Sequence, residues 1–162
     1  MGMWLIRPAE KKDIISMSHV YRSAIRAIGE EYYSPEQVAA WSGYPDNKAE
    51  FKRWVQQALT FVAIAEDSVL VGFGGLEKSG RISSLFVAPD FMRQKVASAL
   101  LAHLITEVDS INIKELTAHA SEFSKPLFIK FGFEVINIES TNLNGVDFTR
   151  YFMRKGLSCS TE

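Results

Sequence analysis

The spacing of apolar positions changes several times along the chain, and each change predicts an element. "MWLIR" is an apolar run of strand length that stops before Pro8. From Asp13 onward, Ile14, Met17, Tyr21, Ala24, Ile25 and Ile28 recur at helical spacing, with Asp13 as the expected N-cap and Gly29 as the expected stop. "SPEQVAAWSG" predicts a second, short helix, in which Ser34 caps, Pro35 takes the first position, Gln37 completes a capping box and Gly43 ends the element. A third helix is expected from Asn47 to Leu59, with Phe51, Val55, Ala58 and Leu59 inward. The period then shortens. "TFVAIAED", "VLVGFGGLEK" and "RISSLFVAP" are apolar, β-branched or aromatic runs separated by polar turns, the pattern of an antiparallel meander.

After a Pro-Asp turn the helical period returns, with Arg93, Gln94 and Lys95 expected in the first turn and Val96, Ala99, Leu100, His103, Leu104 and Val108 on one side. "IKELTAHA" predicts a strand and "SKPLFIKFGF" a short helix ending at Gly132. "FEVINIES" with "VDFTRYFMRK" predicts a closing hairpin over Asn142 to Gly145. This order places the chain in the α/β class, α+β by some schemes. It implies a single domain over residues 1–157, a mixed, mostly antiparallel sheet flanked by helices, and a polar tail at 158–162.

Composition narrows the function more than the fold. A chain of 162 residues with 47% hydrophobic residues can bury a real core. Its 18 basic and 19 acidic residues nearly cancel, so no global field points to nucleic acid, and any anion site must be local. Its apolar runs are too short to span a membrane, and "MGMWLIRPAE" lacks the apolar stretch of a secretory signal. Gly2 is no myristoylation signal, because Ile6 sits where Ser or Thr is wanted. The single Cys159 and the three histidines have no metal-ligand spacing, so no metal is expected, and a reducing, cytoplasmic setting is. One local anion site does suggest itself. In "FVAPDFMRQKVASALL" a strand feeds the start of a helix, whose first amides have no partner inside the helix.

"IRPAEKKDI", "LFVAPDFMRQKVASALL" and "SEFSKPLFIKFGF", in this order, resemble the GNAT superfamily of acetyl-CoA-dependent N-acetyltransferases, over essentially the whole chain to Leu157. The resemblance implies a GNAT-like domain that takes acetyl-CoA as donor and transfers the acetyl group directly to a primary amine of a small molecule or peptide. The alternative is a catalytically lapsed ligand-binding or regulatory domain. By the same resemblance, Leu85, Phe86 and Val87 would hold the pantetheine arm, and Met92, Arg93, Gln94, Lys95, Val96, Ala97 and Ser98 would wrap the pyrophosphate. Ser121, Phe128 and Lys130 would lie close by. Against the family loop Q/R-x-x-G-x-G/A, Ala97 matches, whereas Met92 and Lys95 replace the polar first residue and the first glycine. Helical φ/ψ suits lysine, so the backbone is expected to keep its shape. Lys95 would then either pair with a phosphate or fill the cradle.

Phe128 stands where many relatives carry a tyrosine that protonates the departing thiolate, which passes that role to Ser124, Ser121, a water or Tyr151. Ser121 and Ser124 read equally well as helix caps. Glu77, His119 and Glu36 are the candidate bases, the histidine with an ordinary pKa of about 6.5. "GEEYYSPEQVAAWSGYP" is expected to build the acceptor pocket. Tyr32, Tyr33, Trp41 and Tyr44 would wall it, and Glu30, Glu31 or Glu36 would draw a cationic amine. Surface aromatics and the closing hairpin suggest a homodimer.

Overall fold

A computed structural model describes residues 4–157, the side chains of Glu30 and Ser110 excepted. Gly2, the 158–162 tail with Cys159, and the Glu30 carboxylate therefore lie outside the described residues. Seven strands, β1 (Leu5–Pro8), β2 (Leu59–Ile64), β3 (Leu70–Leu76), β4 (Arg81–Val87), β5 (Glu115–Ala120), β6 (Glu134–Leu143) and β7 (Val146–Gly156), form one sheet in the order β1-β2-β3-β4-β5-β7-β6. All neighbours are antiparallel except β4 and β5. Helices α1 (Ile14–Tyr32), α2 (Pro35–Ser42) and α3 (Lys48–Gln57) cover one face. Helix α4 (Val96–Thr106), the short α5 (Val108–Ile111) and α6 (Lys125–Lys130) cover the other. Strand alternation feeds both layers: Val62 packs with Met17, Ile25 and Phe73, while its neighbour Ala63 packs with Leu100, Leu104 and Leu116. The mixed α/β sheet read from the sequence is the observed one.

Local signals held where the chemistry is local. Ser34 Oγ accepts from Gln37 N at 3.1 Å and Ser34 N donates to Gln37 Oε1 at 3.0 Å, the reciprocal cap of α2. Asn144 and Gly145 turn the hairpin with φ of +52° and +84°, as a two-residue type I′ turn requires. Elsewhere tertiary contacts overrode the pattern. Helix α1 runs through Gly29 to Tyr32, and a Cβ on Gly29 would lie 2.2 Å from Val38 Cγ2, so this glycine admits α2 rather than stopping α1. Asp13 does not cap α1. Its buried carboxylate takes two hydrogen bonds from Arg7, at 2.8 and 3.0 Å, and the guanidinium holds it below the usual carboxylate range. Leu59 is not an inward helical residue but opens β2, and the short helix α5 was not anticipated.

The feature that positions a site is the parallel pair. Strands β4 and β5 share only the register Arg81↔Thr117 and Ile82↔Ala118, and then part. On the other side of β4, Gly75 pairs with Ser84 and Leu76 with Ile82, which leaves Ser83 as a bulge that bends the strand away. Ala88 N donates to Val71 O across the β3 side, so by alternation Val87 and Leu85 turn their backbone groups into the gap.

Candidate active site

A cleft of about 450 Å³ fills that gap, bounded by the downstream half of β4, the first turn of α4 and the β5–α6 connection. In α4, Ala99 N bonds Lys95 O at 3.0 Å and is the first amide with a partner inside the helix, so the amides of Val96, Ala97 and Ser98 open toward the cleft. Lys95 is not in the helix. It precedes it with φ +69° and ψ +20°, and Arg93 has φ +64°, so both residues expected to be helical are left-handed. Such a conformation costs a side-chain-bearing residue about 1–2 kcal/mol. Left-handed residues alternating with ordinary ones turn successive amides toward one point, the backbone shape of an anion nest.

Most of the anticipated donor-side residues converge here: Leu85, Phe86 and Val87 from β4, Met92, Arg93, Lys95, Val96, Ala97 and Ser98 around the turn, and Ser121 and Phe128 opposite. Two do not. Gln94 folds back to donate to Asp90 O at 3.0 Å, and Lys130 is exposed at the end of α6. The side chains of Arg93 and Lys95 are exposed and form no ion pair among the described residues.

A second cavity, about 360 Å³, opens from the other side and shares Trp41, Ser83, Phe86, His119 and Ser121 with the first. Its walls are aromatic, with Tyr33 5.4 Å from Trp41 and Phe148 6.2 Å from each of them, ring centre to ring centre. Tyr33, Trp41 and Tyr44 are thus placed as anticipated, while Tyr32 instead packs edge-on against Phe123. Glu31 and Glu36 are exposed and line neither cavity, and Glu77 sits behind Arg81 at 3.5 Å. The ionised side chains in this cavity are Arg81 and Arg150, which the linear sequence did not single out. Their signal lies in pairing. The β5–β7 register sets His119 beside Phe152, and the β6–β7 register sets Arg150 opposite Glu139.

His119 stands where the two cavities meet. Its Nε2 is 3.6 Å from Glu139 Oε1, and its buried Nδ1 has no hydrogen-bond partner among the described residues. Burial, reinforced by Arg150 and Arg81 and opposed by Glu139, holds its pKa below the ordinary histidine value, so the ring is neutral at physiological pH and able to take a proton. Ser124 Oγ accepts from both Ser121 N and Ser121 Oγ at 3.0 Å, and Ser124 N returns a bond to Ser121 Oγ at 3.0 Å. The capping role is real, and it leaves the Ser124 hydroxyl proton unassigned. Tyr151 donates to Glu122 at 2.5 Å and lines neither cavity. That bond raises its pKa, and Lys125 lies 4.1 Å over its ring. Phe128 is buried against Phe133 and has no proton to give.

A family model described as "Acetyltransferase (GNAT) domain" matches residues 30–155. An uncharacterised N-acetyltransferase of Escherichia coli K12, YafP, is 30% identical over 149 residues, which cover 92% of this chain and 93% of that protein. A GCN5-related N-acetyltransferase from Rhodopseudomonas palustris superposes with a TM-score of 0.92 at 27% identity, over 97% of this chain and 98% of that one. The PaiA N-acetyltransferase of Thermoplasma acidophilum, solved with coenzyme A, shares the fold at a TM-score of 0.77 and 20% identity, over 96% of this chain and 99% of its own.

Proposed function

Since the chain belongs to the GNAT acetyltransferase family, we propose that it transfers an acetyl group from acetyl-CoA directly to a primary amine of a small molecule or peptide. The observation that carries this reading is the meeting of two differently built cavities at Ser83, Phe86 and His119. One offers backbone and cations, the other rings and a neutral base. The donor set fits the coenzyme: the amides of Val96, Ala97 and Ser98 suit a diphosphate, Arg93 and Lys95 suit its charge, and the unpaired edge of β4 at Leu85 and Val87 suits the amide-rich arm.

When bound, acetyl-CoA supplies a thioester carbonyl activated for attack. His119 Nε2 takes a proton from the bound ammonium, which frees the amine lone pair for attack, and Glu139 Oε1 steadies the resulting imidazolium. An N–H on the free edge of β4 donates to the carbonyl oxygen as charge gathers on it. As the C–N bond forms and the C–S bond breaks, the nitrogen sheds its second surplus proton, and the Ser124 hydroxyl, whose own proton no neighbour claims, relays it, giving its proton to the leaving thiolate and taking up the nitrogen's.

The test is a thermal shift with acetyl-CoA and with free CoA, followed by CoA release with an amine panel. At a hundredfold excess over Kd, binding stabilises by about 2.7 kcal/mol. For a chain of this size that is a rise of roughly 5–10 °C. No shift with either compound would overturn the reading. A shift without turnover on any amine would favour the lapsed domain, to which Phe128 lends support. As part of the same reading the domain extends over residues 1–157, because β1 pairs with β2 and Leu157 N bonds Lys114 O, both outside the matched segment. A cytoplasmic location, where acetyl-CoA is at hand, and a homodimer complete it, with sedimentation velocity to decide the latter.

A further inference from the structure

Resting on that reading of the second cavity as the acceptor site, we propose that the acceptor is an aromatic amino carboxylate, its carboxylate held by Arg150 with Arg81 and its ring by Tyr33, Trp41 and Phe148. Among the described residues that line this cavity none is an Asp or Glu, although the chain as a whole carries a net charge of −1. Glu31 and Glu36, expected to attract a cationic amine, line neither cavity. A polyamine would bring its surplus positive charge against two guanidinium groups in a partly dry site, where like charges repel most strongly.

Both arginines have donors to spare. Glu139 occupies only Nε of Arg150, at 3.1 Å, and the two Nη groups make no hydrogen bond among the described residues. Arg81 Nε is buried without a partner, and its Nη1 reaches Glu77 only at 3.5 Å. A buried donor without a partner costs free energy that a ligand oxygen would return, and a planar guanidinium matches a carboxylate in two-pronged fashion. The spacing suits one small molecule. Phe152 pairs with His119 and Arg150 is two residues along the same strand, about 7 Å away on the same face, so an amine at His119 leaves an attached carboxylate within reach of Arg150. The three mutually packed rings of Tyr33, Trp41 and Phe148, set edge to face, supply an apolar wall for the remainder.

Phenylalanine, phenethylamine and spermidine are the probes, compared by acetyl-CoA-dependent CoA release. Phenylalanine should exceed phenethylamine in kcat/KM by about tenfold or more, with spermidine slowest. Arg150→Met should bring the first ratio toward one by raising KM for phenylalanine, and Arg150→Lys should restore part of it. Circular dichroism would verify that both variants fold. A preference for phenethylamine or spermidine would overturn the proposal. Calorimetric binding of N-acetylphenylalanine against N-acetylphenethylamine, with CoA present, separates this proposal from the one beneath it. Selective binding of the carboxylate without turnover on any amine would sustain the arginine site and sink the transferase. Equal binding of the two would sink the arginine site whatever the turnover.

Discussion

The two cavities are built on opposite principles. The cleft proposed for the donor is built mostly from one contiguous stretch, β4 through the first turn of α4, and offers mainly backbone: unpaired amides at the helix start and the free edge of a strand. The cavity proposed for the acceptor collects single side chains from α1, α2, α3, β4, β5 and the β6–β7 hairpin. On the proposed reading, a loop that binds through its backbone keeps its amides although Met92 and Lys95 stand in place of a polar residue and a glycine. The acceptor cavity has no such reserve. Its proposed chemistry rests on the identity of Arg81, His119 and Arg150.

If that division is right, substitutions on the two sides should separate cleanly. The largest effect is expected on the acceptor side. His119→Ala should lower kcat/KM about a hundredfold at pH 7, roughly 2.7 kcal/mol of transition-state stabilisation, while coenzyme affinity stays within about twofold. Loss of coenzyme binding in this variant would show that the two sites are not separable. The same histidine sets a pH dependence. Because burial and the two arginines lower its pKa, the neutral, proton-accepting form should persist below pH 6.5, so the acidic limb of kcat/KM lies below that value. Arg150→Met removes one of the lowering charges and should move the limb upward. A limb unmoved by the substitution, or one above 6.5, would take His119 out of the role of base.

A smaller effect is expected on the donor side, and in two directions at once. Lys95→Gly relieves a left-handed side-chain-bearing residue and should stabilise the fold by about 1 kcal/mol, or roughly 2–4 °C in Tm. It should also weaken coenzyme binding about threefold at low salt, a loss that added salt erases. Unchanged affinity across the salt series would leave the lysine a bystander, and a lower Tm would contradict the strain. The smallest change is expected from Phe128→Tyr. The ring is buried against Phe133 at the cleft wall, so the fold should survive, and kcat should rise about two- to fivefold if thiolate protonation limits turnover. Identical rates would mean that another group supplies the proton or that another step is slower.

The residues that line the first cleft were named from the sequence almost one by one, because a strand, a turn and a helix start that are adjacent along the chain stay adjacent in space. Where reading failed there, it failed on backbone shape. Nothing in the apolar spacing of "FMRQKVASALL" distinguishes a helical Lys95 from a left-handed one, since the side chains at 93–95 are solvated in either case. Gly29 misled for a related reason. A glycine that ends a helix and a glycine that admits a neighbouring helix look alike until Val38 is seen pressed against it. In the second cavity, Tyr33 and Trp41 line the wall as their segment suggested, whereas Glu31 and Glu36 are near those rings in sequence and outside the cavity in space.

What the sequence alone determined, then, was the succession of elements, the capped start of α2, the hairpin turn and the location of the helix start that follows β4. All of these rest on periodicity and on hydrogen bonds between residues a few positions apart. Only the tertiary structure decided that β4 and β5 part after two pairs, that Arg81 and Arg150 face one cavity with His119 between the two, and that Tyr151 turns to Glu122 instead. Strand register and the burial it imposes bring together residues far apart along the chain, and no local pattern carries that information.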